Sequence, residues 1–101
     1  MWKFDNNILT DKANLWQSED DWSFSANGTL GIYIENTSKS KFLGVANDNK
    51  VNEDSPKQLW KRGLTDSEGY FSLKKSESKF LTAMSAVTLK ITGTINTNKI
   101  L

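Results

Sequence analysis

An internal repeat with a shift of 38 residues constrains this chain more than any other feature of its sequence. A fixed period of this length indicates a repeated supersecondary unit. The alignment needs no gap, and apolar positions coincide along it as well. The shift superimposes similar or identical residues at these positions: Trp22 on Trp60, Gly31 on Gly69, Tyr33 on Phe71, and 40–43 (Ser-Lys-Phe-Leu) on 78–81.

Short runs of β-branched and aromatic residues alternate with polar turns along the whole chain, and no window carries a helical period. This pattern predicts an all-β protein. The pair Asn27-Gly28 is the strongest hairpin signal, because both central positions of a type I′ turn need a positive φ. The predicted strands are 2–4, 8–10, 14–17, 22–24, 30–34, 42–45, the vicinity of Val51, 59–61, 70–73, 80–83 and 88–91.

These strands divide into three units of one domain that spans 1–101, at about 1–21, 22–59 and 60–101. The second and third units each hold four strands, whereas the first is shortened. Three four-strand units that close on themselves make a β-trefoil, in which few sheet edges stay free. The chain would then have a circularly permuted start, and Trp2 would close the fold against 91–95.

The third unit begins with a motif that resembles a known family. Gln58-Leu59-Trp60 is similar to the Gln-x-Trp signature of ricin-type β-trefoil lectins. The segments 40–43 and 78–81 resemble the Ser-Gly-Lys-Cys-Leu strand of the same family. The resemblance implies a β-trefoil that binds carbohydrate, most often galactose-type sugars, and that has no catalytic activity.

The family's sugar sites place an Asp directly after the Cys-Leu pair, and the matching positions here are Trp16, Gly44 and Thr82. A carboxylate accepts hydrogen bonds from vicinal hydroxyls, and an aromatic ring covers the apolar face of a sugar. One loop of the second unit still offers such polar groups, so the sequence predicts a single principal site. The candidate ligand-binding residues are Asn47, Asp48, Asn49, Asn52 and Trp16.

Each of these residues also has a purely structural interpretation. Asn and Asp tolerate left-handed backbone and bond to their own main chain, so 47–49 is consistent with a simple turn. Trp16 lies outside the register of the repeated Trp residues, beside polar Gln17, and is either an exposed stacking platform or a packing contact. The acidic run 19–21 is interpreted as a solvated loop.

The composition argues against several classes of function. A net charge of +1 gives no reason to expect nucleic acid as a partner, and no apolar run is long enough for insertion in a membrane. The chain has no Cys and no His, which removes the commonest metal ligands and general bases. We therefore expect that the protein is not an enzyme and that it binds neither a metal ion nor a cofactor. Sequons at Asn27 and Asn36 leave secreted and cytoplasmic locations both open.

Two functional hypotheses follow from the sequence. The first is a carbohydrate-binding module of low affinity that acts through multivalency or within a larger protein. The alternative is a β-trefoil scaffold for protein interactions, fascin-like or cytokine-like, which the missing Asp favours. The short first unit also leaves a sheet edge that a homodimer could cover.

Overall fold

A computed structural model describes residues 1–46, 51–55 and 57–93, with the backbone alone for 53–55. The described residues form an all-β fold of three antiparallel sheets without a helix. The strands are β1 (Trp2–Asp5), β2 (Ile8–Asp11), β3 (Trp22–Ala26), β4 (Ile32–Asn36), β5 (Lys41–Val45), β6 (Val51–Ser55), β7 (Lys61–Arg62), β8 (Leu73–Ser76), β9 (Lys79–Ser85) and β10 (Thr88–Thr92).

Strands β1 and β2 form a two-stranded hairpin with Asp5 opposite Ile8. The two loop residues both have positive φ, 50° at Asn6 and 66° at Asn7. A two-residue hairpin loop of this kind matches the right-handed twist of its strands, and Asn is among the few residues that tolerate it. The Asn pair thus supplies the left-handed backbone that this tight turn needs.

The hairpin predicted at Asn27-Gly28 is confirmed, but its predicted turn type is wrong. The Asn27 N–H donates to the Gly31 carbonyl at 2.9 Å, so three residues lie between this bonded pair at the tip of the β3–β4 hairpin. Only Gly28 of the predicted pair has a positive φ, 56°. The longer loop removes the requirement for left-handed geometry at Asn27.

The larger sheets repeat one design. One has the order β3-β4-β5-β6 and the other β10-β9-β8-β7, so each is a meander of four consecutive strands. Ser40 and Ser78, which are related by the shift of 38, have φ values of 54° and 60° at equivalent turns. The sequence repeat is therefore a structural repeat as well.

The ungapped alignment fails in one strand of the repeat. Trp60 and Ile32 exchange backbone hydrogen bonds of 2.8 Å, and the corresponding exchange in the other sheet is made by Phe71 with Trp2. The shift from Ile32 to Phe71 is 39 residues, so β8 is displaced by one position relative to the sequence alignment. A register shift between Lys74 and Ser76 absorbs the extra residue before β9.

Three repeated tryptophans lie in the core, as their register predicts. Trp2, Trp22 and Trp60 are all buried. The indole N–H of Trp60 donates to the Leu43 carbonyl and that of Trp2 to the Leu81 carbonyl, both at 3.0 Å. The other apolar core residues are Leu9, Trp16, Ile34, Leu43, Phe71, Leu73, Leu81, Ala83 and Leu89.

The Gln-x-Trp motif has a structural role. The side-chain amide of Gln58 bonds to Val45 in both directions: it accepts from the backbone N–H at 3.0 Å and donates to the carbonyl at 3.4 Å. The Trp60 indole bonds to Leu43 on the same strand. Both side chains of the motif therefore hold β5.

Two predictions about the ends of the first unit need correction. The segment 14–17 is a loop, and it pairs with β2 in an isolated bridge between Gln17 and Thr10 and not as a strand. Trp2 pairs with Phe71, whereas Ile91 of the predicted partner segment pairs with Leu81, and residues 94 and 95 of that segment lie outside the described part of the chain. The backbone N–H and carbonyl groups of Trp2 both bond to Phe71, at 2.7 and 2.9 Å.

Candidate functional site

The predicted ligand loop can be located only in part. Asn47, Asp48 and Asn49 lie outside the described residues. Asn52 is exposed on β6, where it pairs with Gly44 of β5. Gly44 is the position that matches the missing family Asp, so Asn52 stands directly across from it.

Trp16 is a core residue. It is only 9% exposed. Its ring and those of Trp2 and Trp22 are packed edge to face, at centroid distances of 5.8 and 6.0 Å. This arrangement agrees with the packing interpretation of Trp16 and not with an exposed stacking platform.

Asp11 is the residue that turns Trp16 inward. Its buried carboxylate accepts from the backbone N–H of Trp16 at 2.7 Å and from that of Ala13 at 3.2 Å. A carboxylate that accepts main-chain hydrogen bonds fixes a loop more firmly than a neutral group does. Ser18 follows on the same loop, and its Oγ accepts from the Leu9 N–H at 2.9 Å.

A cavity of about 240 Å³ opens above this loop, and we name it the Trp16 cavity. It lies where the loop, the start of β3, the β4–β5 turn and the β9–β10 turn meet. Its walls combine charged, amide and apolar side chains. The lining residues are Trp16, Gln17, Ser18, Glu19, Asp20, Trp22, Asn36, Lys39, Ala86 and Val87.

The polar side of the Trp16 cavity is a connected network around Asp20. The Asn36 amide donates to Asp20 Oδ2 at 3.1 Å, and Lys39 Nζ lies 3.7 Å from the same oxygen. Asn36 Oδ1 also accepts from the Lys39 N–H at 3.3 Å. Asn36 is buried, whereas Glu19 beside it is exposed. Hydrogen-bond donors and acceptors thus meet in one fixed arrangement.

Two apolar residues of the lining come from a distant part of the chain. Val87, on the β9–β10 turn, is 90% exposed, and Ala86 precedes it. Most small-ligand sites are lined mainly by apolar side chains, with a few oriented polar groups. The Trp16 cavity is more polar than that, because six of its ten lining residues are polar or charged.

A second cavity of about 310 Å³ shares Gln17 with the first, and we name it the Tyr70 cavity. The ammonium groups of Lys3 and Lys12 lie 5.4 and 5.0 Å from the centre of the Tyr70 ring. The full lining is Lys3, Asp5, Ile8, Thr10, Asp11, Asn14, Gln17 and Tyr70.

The turn before β8 positions Tyr70. Asp66 Oδ1 accepts from the backbone N–H groups of Tyr70 and Glu68, both at 2.9 Å. These bonds, that of Tyr70 above all, lower the pKa of the Asp66 carboxyl below its ordinary value. The turn is therefore held best when this carboxylate is charged.

Sequence reasoning did not identify most of the residues of the Trp16 cavity. Asp20 was interpreted as part of a solvated loop, although it has a buried amide partner in Asn36. Lys39 and Val87 carry no local signal, because they enter the cavity from turns far apart in the chain. The sequence contains one hint of this site: Asn36 is a polar residue at a position of β4 that points into the core, where apolar residues are usual.

The described residues contain no group of three or more acidic, His or Cys side chains arranged to hold a metal ion. Among the same residues, no helix has the length and apolarity that crossing a membrane requires. Comparison with protein-family models, with curated proteins and with solved structures finds no match to this chain.

Proposed function

We propose that this chain is a non-catalytic carbohydrate-binding module and that the Trp16 cavity is its sugar site. The observation that carries the proposal is the polar network of Asp20, Asn36 and Lys39, which lines the same cavity as the apolar side chain of Val87. A sugar ring presents hydroxyl groups at its edge and C–H groups on its faces. The polar network is complementary to the hydroxyl groups, and the apolar side chain is complementary to the C–H groups.

The polar groups suit neighbouring hydroxyls in particular. The Asp20 carboxylate accepts hydrogen bonds, the Lys39 ammonium donates them, and Gln17 does both. Bonds in which one partner is charged are about twice as strong as neutral ones. Because Asn36 and Lys39 already hold Asp20, little side-chain freedom is lost when a ligand binds.

We propose further that the fold is a β-trefoil of three units. Three backbone contacts support a cyclic closure. The hairpin of the first unit meets the third at Trp2 and Phe71, the third meets the second at Trp60 and Ile32, and the second meets the first where the Trp22 N–H donates to the Asn7 carbonyl at 2.8 Å. A closed set of contacts leaves few unpaired sheet edges.

Galactose-type sugars are the ligands we propose to test first, since the resemblance to ricin-type lectins points to them. A single open cavity implies modest affinity, so useful binding would depend on several copies acting together. A homodimer would supply two such sites. Light scattering at tens of micromolar tests this point, and a monomeric mass contradicts it.

The experiment is a glycan array with the purified protein and four single variants. Glu19→Ala and Lys39→Ala change the Trp16 cavity, and Asp48→Ala changes the loop predicted from sequence. Glu77→Ala is the matched control, because it removes an exposed carboxylate on the β8–β9 turn that pairs with Lys74. We expect binding to fall at least about tenfold in the two cavity variants and to stay unchanged in the control.

The other outcomes are equally informative. Loss of binding in Asp48→Ala alone would move the site to the 47–49 loop and overturn its placement in the Trp16 cavity. Absence of binding to every sugar, with the circular dichroism spectrum of a folded β protein, would overturn the proposed function. The protein-interaction scaffold would then be the better hypothesis, and a pull-down would test it.

A further inference from the structure

The Trp16 cavity and the Tyr70 cavity share one lining residue, Gln17. We infer that the two cavities form a single groove that binds several consecutive sugars of a linear, uncharged oligosaccharide, with Gln17 at its midpoint. The inference rests on the proposed function and deepens it, because it specifies the length and the charge of the ligand.

Gln17 is held in place by its own backbone. It pairs with Thr10 of β2 as an isolated bridge. The residues on either side are tied to the same strand, since the Ser18 N–H donates to the Leu9 carbonyl at 2.9 Å and the Asp11 N–H to the Trp16 carbonyl at 3.3 Å. The exposed Gln17 side chain therefore rises from a rigid loop between the two cavities.

The volumes favour a ligand that occupies both cavities. Sites that enclose most of a small ligand measure roughly 300–1,000 Å³. The Trp16 cavity, at about 240 Å³, is below this range, and the Tyr70 cavity, at about 310 Å³, is at its lower end. A groove made of the two lies within the range, and a chain of sugars has the elongated shape that such a groove requires.

The charges of the Tyr70 cavity favour a neutral chain. Its lining includes the cation Lys3 and the carboxylates Asp5 and Asp11. Asp11 is buried and bound to two backbone N–H groups, whereas Lys3 and Asp5 are exposed, so a ligand in the cavity meets one positive and one negative side chain. Thr10 and Asn14 add neutral hydroxyl and amide groups. A strongly anionic or cationic ligand would leave one of these charges unmatched.

The test is calorimetric titration of the whole chain with β-linked galactose oligomers of one to four units. We expect the tetramer to bind at least about tenfold more tightly than the monomer, which corresponds to about 1.4 kcal/mol. Asp5→Ala should remove this gain and leave monomer affinity unchanged, because Asp5 lines the Tyr70 cavity alone. Glu19→Ala should weaken every length, and Gln17→Ala should weaken the longer oligomers most.

Repeated copies of one epitope raise apparent affinity by no more than the number of units in the oligomer. A gain of that size or smaller in the wild-type chain would overturn the groove while it leaves the carbohydrate-binding proposal intact. A gain that survives Asp5→Ala unchanged would also contradict it. Failure of every glycan to bind, in the titration and on the array, would overturn the proposed function and this inference with it.

Discussion

The β3–β6 sheet and the β7–β10 sheet share a strand order but differ in where the opening hairpin lies within the repeat of 38 residues. In the first, the turn is closed by the Asn27 N–H to Gly31 carbonyl bond, and in the second by the Asp66 N–H to Tyr70 carbonyl bond, at 2.8 Å. These positions are related by a shift of 39 residues, whereas the β5 and β9 strands are related by 38. Sequence identity between Gly31 and Gly69 therefore does not mean structural equivalence.

The difference has a functional consequence. The turn of the β3–β4 hairpin lines neither of the two cavities, whereas the equivalent turn before β8 carries Tyr70, which lines a cavity with the first unit. The strands of the repeat thus keep the core constant, while turns of equal length carry different chemistry. Five substitutions test this division between a constant frame and turns of different composition.

The largest effect is expected from Trp60→Ala, which acts on both sheets. Trp60 is fully buried, its backbone bonds to Ile32 and its indole bonds to Leu43. Truncation of a buried aromatic residue costs about 3–5 kcal/mol of the free energy of unfolding. Urea denaturation followed by circular dichroism measures the loss. Trp60→Phe is the control, because it keeps most of the buried volume and removes the indole hydrogen bond. An equal loss in both variants would show that this bond, and not the buried volume, stabilises the fold.

Gly31→Ala and Gly69→Ala sharpen the comparison directly. A Cβ at Gly31 would lie 2.6 Å from the Trp60 carbonyl oxygen, which is bonded to Ile32. A Cβ at Gly69 would meet only the flexible Lys3 side chain, at 3.5 Å. Both positions have positive φ, 148° and 92°, so each variant also bears backbone strain. We expect Gly31→Ala to cost about 3 kcal/mol and Gly69→Ala about 1 kcal/mol. Equal losses in thermal denaturation would mean that the two glycines are equivalent after all.

Asp11→Ala tests the device that is specific to the first unit. The buried carboxylate holds the 12–16 loop through hydrogen bonds from two backbone N–H groups, and its removal deletes both bonds. Loss of hydrogen bonds to a charged group costs about 2 kcal/mol. Chemical denaturation measures this value, and near-ultraviolet circular dichroism reports the Trp16 environment. An unchanged near-ultraviolet spectrum would contradict the role of Asp11 in positioning Trp16.

The smallest effect is expected from Gln58→Ala, which removes the amide clamp on Val45. The two bonds are half-buried and neutral, so we expect a loss of about 1 kcal/mol in stability. Hydrogen exchange of the Val45 amide should speed up more than that of Ala83, its repeat counterpart. Leu59→Ala at the variable position of the motif is the control. Equal protection of both amides would contradict a local role for Gln58.

Parts of the candidate site follow from sequence and parts do not. Trp16 was singled out because it broke the register of the other tryptophans, and it does border a cavity. The sequence alone does not decide whether this side chain points into the core or into solvent, because a buried Trp and an exposed Trp can have the same polar neighbours in sequence. Asp20 belongs to an acidic run, which indicates a solvated loop. Its partners Asn36 and Lys39 are far away in sequence and are brought to it by the tertiary structure.

By itself, the sequence determined the all-β class, the repeat, the buried tryptophans and most strand positions. These features depend on side-chain alternation and turn propensity, which are local properties of the chain. The tertiary structure alone decided the one-residue displacement of β8, the inward turn of Trp16 and the meeting of distant turns around two cavities. Those features depend on which backbone groups find partners across the fold, and pairing over long sequence distances leaves no local trace.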